Sequence, residues 1–116
     1  MAIYYLGPVQ NFWQHRGDGN TAALELKIKN TTNKDITVLV EGSGKTKNDA
    51  YRLFRYLNSI SAKGELVLTD LMVNGESFSL QISSTTIEPT ELEFDIIGKL
   101  NGSAISQYKD AIKFLE

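Results

Sequence analysis

Cysteine is absent from this sequence, which excludes a disulfide framework, a thiolate metal site and a thiol nucleophile. Histidine occurs once, as His15 beside Trp13 and Arg16, so neither a histidine-rich metal site nor a catalytic triad is in prospect. No charge of one sign dominates. Lysine and arginine number 12 against 14 acidic residues, a net charge of -2, which leaves no electrostatic footprint for nucleic acid or an anionic membrane. No apolar stretch approaches membrane-spanning length. The opening Met1-Ala2-Ile3-Tyr4-Tyr5-Leu6-Gly7-Pro8 has no basic segment ahead of a leader-length apolar run, so no secretory signal is expected. Low-complexity tracts are missing too. The 116 residues are expected to form one domain, and a hydrophobic content of 41% is enough for a core without staples.

What the sequence does have is alternation. Leu24, Leu26 and Ile28 are separated by Glu25 and Lys27, and Ile36, Val38 and Val40 follow. Phe78, Leu80 and Ile82 repeat the rhythm, as do Leu92, Phe94 and Ile96 against Glu91, Glu93 and Asp95. Successive strand side chains point to opposite faces, so a period of two predicts half-buried antiparallel sheet. Several short strands joined by turn residues predict an all-β fold, an antiparallel β-sandwich or jelly roll, over residues 21–116. Residues 1–20 read as a separate aromatic arm containing Tyr4, Tyr5, Phe12 and Trp13.

Two hairpins are expected. In residues 21–42 the turn Thr31-Thr32-Asn33 would set Ile28 opposite Ile36, Leu26 opposite Val38 and Leu24 opposite Val40. In residues 66–83 Asn74-Gly75 is the strongest turn signal, and closure there would pair Leu71 with Phe78. The other face of that first strand would carry Leu66, Leu68 and Met72, apolar enough to lie under a loop or another subunit. Residues 46–60 fit two patterns. Ala50, Leu53, Phe54 and Leu57 have helical spacing, with Thr46 and Asp49 as a capping box. Tyrosine and phenylalanine favour sheet, and strands on both sides favour the strand reading. The tail from Ser106 to Glu116 fits a short helix through Tyr108, Ala111, Ile112 and Leu115, or a last short strand through Ile112 and Phe114.

Candidate chemistry is thin. Gly42-Ser43-Gly44-Lys45-Thr46 resembles the end of a phosphate-binding loop, with Lys45 and Thr46 as the phosphate and magnesium contacts. The full motif needs glycine where Leu39 stands, in the middle of an alternating strand. Arg16-Gly17-Asp18 is a plain turn as well as an integrin-type tripeptide. Asn30-Thr31-Thr32 and Asn101-Gly102-Ser103 match glycosylation acceptors but read as turns. Glu91, Glu93 and Asp95 read as a solvated strand face matched by Lys27 and Lys29 rather than a calcium site. Tyr51-Arg52-Leu53-Phe54-Arg55-Tyr56 mixes rings and cations, but the acidic balance favours core packing over single-strand nucleic acid. No cofactor is implied.

The layout from Leu24 to Ser103 resembles small bacterial β-sandwich subunits of spore-surface appendages. The carriers are a strand ending in Asn30-Thr31-Thr32, the segment Val40-Glu41-Gly42-Ser43, Asn74-Gly75-Glu76 before alternating residues, and the strand Leu92 to Ile97. That resemblance implies a self-assembling structural role, although such subunits cross-link through arm cysteines that this chain lacks. The expected function is therefore a non-enzymatic subunit whose partner is itself. It would dock through Tyr4, Tyr5, Phe12 and Trp13, with Leu66, Leu68 and Met72 as a second covered face. The alternatives are a carbohydrate-binding module stacking a sugar on Trp13 or Tyr51, and nucleotide binding at Lys45 and Thr46.

Overall fold

The computed structural model describes residues 2–10, 23–45, 50–73, 77–86, 88–100, 103–108 and 112–115. Nine strands are described: β1 (Ala2–Gln10), β2 (Ala23–Asn30), β3 (Ile36–Lys45), β4 (Ala50–Ile60), β5 (Glu65–Met72), β6 (Ser77–Ser84), β7 (Leu92–Leu100), β8 (Ser103–Gln107) and β9 (Lys113–Leu115). They form a five-stranded sheet in the order β4-β3-β6-β1-β9 and a four-stranded sheet in the order β5-β2-β7-β8. Every pairing is antiparallel. The fold is the β-sandwich that the alternation predicts, and among the described residues no helix is long and apolar enough to cross a membrane.

The alternating residues fill the space between the sheets. Leu24, Leu26 and Ile28 of β2 and Leu92 and Ile96 of β7 enter from one side. Ile36, Val38 and Val40 of β3 and Phe78, Leu80 and Ile82 of β6 enter from the other. Fully burying an aliphatic or phenylalanine side chain stabilises by about 1.5–3 kcal/mol, so these eleven carry most of the driving force. Glu93 and Asp95 point away from the core and stand in register with Lys29 and Lys27 of β2.

Both expected hairpins are corrected by the topology. β2 pairs with β5 and β7, whereas β3 pairs with β4 and β6. The six residues Leu24, Leu26, Ile28, Ile36, Val38 and Val40 do share the core, but they belong to opposite sheets. Similarly, β5 lies in the four-stranded sheet and β6 in the five-stranded one, so Leu71 and Phe78 are not strand partners. Asn74-Gly75 lies outside the described residues.

Asn30 explains the first crossover. Its position continues the inward phase of Leu24, Leu26 and Ile28, and it is completely buried. Its side-chain nitrogen donates to the carbonyls of Lys34 (2.7 Å), Ile60 (3.1 Å) and Ser61 (3.1 Å). Its Oδ1 accepts from the Thr32 amide (2.9 Å) and hydroxyl (2.7 Å). The Asn30 amide donates to Gly64, the Lys63 amide to Thr32 and the Thr31 amide to Glu91. One side chain thus satisfies the backbone where the chain leaves one sheet and enters the other, both after β2 and after β4.

Candidate functional site

The segment expected to be an arm is β1, an interior strand of the five-stranded sheet between β6 and β9. The Ile3–Leu6 run has apolar residues on both faces, and the sheet has use for both. Tyr4 is a core residue in this structure, where a docking contact was expected. Its ring meets Phe94 at 4.8 Å and Phe114 at 5.3 Å, joining the two sheets. Its hydroxyl lies 3.1 Å from that of Thr86, itself buried and bonded to Ser84. Burial pushes the Tyr4 phenol above its ordinary value, and the Thr86 hydrogen bond opposes this. Tyr5 points to the outer face of the same sheet and is half-buried. Phe12, Trp13, His15 and Arg16-Gly17-Asp18 lie outside the described residues.

The expected apolar face on β5 is also redistributed. Leu66 and Leu68 pack against the core, and so do Leu71 and Val73. Strict alternation cannot turn all four inward. A bulge between Leu68 and Leu71, with Asp70 at φ 56°, shifts the phase by one residue. Met72 falls on the outside and is 50% exposed.

Residues 50–60 are strand, as the flanking strands suggested, and 46–49 lie outside the described residues. Of the tail, Lys113–Leu115 form β9 on β1, the short-strand alternative, and residues 109–111 lie outside the described residues. Phe114 of this strand meets the Tyr4 ring, and Ile112 just before it packs against the core.

Gly42-Ser43-Gly44-Lys45 is not a loop. All four residues lie in β3, paired with β4 on one side and β6 on the other, so they do not wrap a phosphate. The glycines serve packing instead. Gly42 stands opposite Phe54, and a Cβ there would overlap the phenylalanine ring. Thr46 lies outside the described residues. Among the described residues no three His, Asp or Glu side chains converge as a metal site would require. The Glu91 carboxylate instead accepts from the Glu88 amide at 2.6 Å, and Asp95 accepts from the Gln107 amide at 3.2 Å.

A candidate surface lies at one side of the sandwich, around edge strand β4. This strand is 11 residues long and, among the described residues, pairs only with β3. It exposes Tyr51, Tyr56 and Leu57, the last at 71%. Phe54 and Tyr56 stack at 6.0 Å along it. On the outer face of the sheet, Arg55 reaches Glu41 at 3.7 Å. Beside this pair an open depression of about 350 Å³ is lined by Glu41, Ser43, Tyr51, Arg52 and Gln81. The sequence pointed to Tyr51 and Arg52 as a ring-and-cation run and to Ser43 as part of a phosphate-type loop, but only strand register brings them together with Glu41 and Gln81.

Comparison with known proteins yields one informative likeness. The chain is similar to the solved structure titled Crystal Structure of Thermotoga maritima 1070, with a TM-score of 0.52 and 12% identity, over 97% of this chain and 89% of that one. At that identity the likeness speaks for the fold alone. No protein-family model matches the chain, and no curated protein matches it.

Proposed function

We propose that this chain is a non-enzymatic structural subunit that associates with copies of itself along edge strand β4. The carrying observation is the contrast between the edges. An exposed edge presents unpaired backbone groups and is normally short, charged or covered. β8 and β9 close the other side of the sandwich with 5 and 3 residues. β4 runs for 11 residues with Tyr51, Tyr56 and Leu57 exposed, and the edge strand of the other sheet, β5, exposes Val67 and Met72. Two copies meeting through β4 would continue one sheet across both, an isologous contact that closes as a pair. Leu57 stands on the outer face opposite Leu39 and Tyr56 on the inner face opposite Val40, so such a contact would cover exposed apolar surface on both faces of the joined sheet. The resemblance in layout to appendage subunits is to proteins that self-assemble, though not through such an edge, and the lack of cysteine rules out a disulfide across the contact.

The test is light scattering coupled to size exclusion, with negative-stain microscopy, over a concentration series of the full chain. Assembly should grow with concentration, and Leu57→Lys should remain monomeric while melting like the parent. A parent that stays monomeric throughout, or a Leu57→Lys protein that assembles as the parent does, overturns the proposal.

A further inference from the structure

We infer that the depression on the outer face of the five-stranded sheet is a saccharide-binding site, read through the hydroxyl groups of the sugar. Register assembles it from three strands. Ser43 stands opposite Arg52 on β4 and Ser79 on β6, and Glu41 stands opposite Gln81, which in turn stands opposite Tyr5 of β1. The central strand β6 presents Ser77, Ser79, Gln81 and Ser83 in the outward phase. Ser83 lies between Ile3 and Leu39, and Gln81 between Tyr5 and Glu41, where it joins the lining of the depression.

The lining chemistry selects the ligand class. Arg52 offers a planar fork of donors, and among the described residues no carboxylate lies within ion-pair distance of it. Gln81 offers a donor and an acceptor on one side chain, and Ser43 adds a hydroxyl. Glu41 is held by Arg55 through one oxygen, Oε2. A phosphate would meet the Glu41 carboxylate, and an apolar ligand would strand the polar lining without partners. A ring bearing adjacent hydroxyls, each both donor and acceptor, matches the mixed set. Tyr5, which stands opposite Gln81 on the outer face, supplies aromatic surface beside the depression for the C–H face of such a ring. Glu41, Ser43 and Gln81 lie on strands inside the sheet, whereas Tyr51 and Arg52 belong to the edge strand proposed to associate, so the titration is run on the monomeric Leu57→Lys protein as well as on the parent.

The experiment is an amide-resolved NMR titration of the full chain. The probes are soluble oligomers of glucose, mannose, N-acetylglucosamine and galacturonic acid, and sodium phosphate. At least one oligosaccharide should produce saturable shifts centred on Glu41, Ser43, Arg52 and Gln81. Arg52→Ala and Gln81→Ala should each weaken it by about tenfold, the loss expected of one well-placed polar contact, with unchanged melting. Leu57→Lys should bind as the parent does. Absence of saturable shifts with all four oligosaccharides, shifts centred elsewhere, or full affinity in both alanine variants overturns the assignment. So does tighter binding of phosphate than of any sugar.

Discussion

Replacing Asn30 tests the central claim about how the two sheets are joined. The side chain is completely buried and bonds to Lys34, Ile60, Ser61 and Thr32. Asn30→Ala removes the shared donor of three carbonyls and the acceptor for the Thr32 amide and hydroxyl. A net hydrogen bond contributes about 0.5–1.5 kcal/mol, and a buried group left without a partner costs about 1–3 kcal/mol. Lys34, Thr32 and Ser61 lie near the surface, where water restores part of the loss. The Ile60 carbonyl is the buried one, so it carries the full penalty. The expected destabilisation is about 3 kcal/mol, which should lower the melting temperature by roughly 8–15 °C for a domain of this size. Asn30→Asp is the sharper variant, because it keeps the shape and the acceptor but turns the donor into an oxygen facing three carbonyls. It should be at least as damaging at neutral pH and should recover partly in acid as the carboxyl gains a proton. Urea denaturation followed by far-ultraviolet dichroism measures both. A loss below about 1 kcal/mol for Asn30→Ala would refute the idea that this side chain secures the crossovers.

Four further outcomes are expected. Gly42→Ala should cost about 2–4 kcal/mol by forcing the Phe54 ring aside, and adding Phe54→Ala should recover part of that loss in a double-mutant cycle followed by urea melts. Tyr4→Phe should cost about 1 kcal/mol through the Thr86 hydroxyl while leaving the aromatic cluster packed, as thermal melts would report. The Tyr4 phenol titrates above its ordinary value when folded, so its contribution is complete below about pH 10 and is lost as pH rises through the folded value; Tyr4→Phe should remove that alkaline decline in a pH series of melts. Asp70→Gly should be neutral or stabilising by up to about 1 kcal/mol, whereas Asp70→Val should be clearly destabilising, because the bulge holds φ at 56°.

The faces of most strands were legible in the sequence, but their neighbours were not. Alternation says which side chains turn inward, and it placed Leu24, Leu26, Ile28, Ile36, Val38 and Val40 in the core. It is silent on whether two inward rows lie side by side in one sheet or face each other across the sandwich. The one local clue was Asn30, a polar residue in inward phase just before the connection, which a hairpin would have no reason to bury. The phase of β5 was hidden because its bulge uses aspartate instead of glycine, so Leu66 and Met72 looked like one face. β1 gave no alternation, because Tyr4 and Leu6 pack inward while Ile3 and Tyr5 are half-buried outside. Of the surface depression Tyr51, Arg52 and Ser43 stood out, but in separate motifs, and nothing joined them to Glu41 and Gln81 until three strands brought these residues into register.

The way the strands interleave also governs when this protein can become itself. Among the described strands only the β3–β4 and β7–β8 connections join neighbours within a sheet, so the other five of the seven ladders must wait for a distant stretch of chain. β1 is synthesised first, yet one flank is completed by β6 and the other by β9, at residues 113–115. Such pairings carry a large loop-closure penalty and slow the search for the native state. A growing chain on the ribosome therefore holds Ile3, Tyr4 and Leu6 without their final neighbours until nearly the last of these residues has emerged, and the nascent polypeptide should need a holdase far more than the finished domain does.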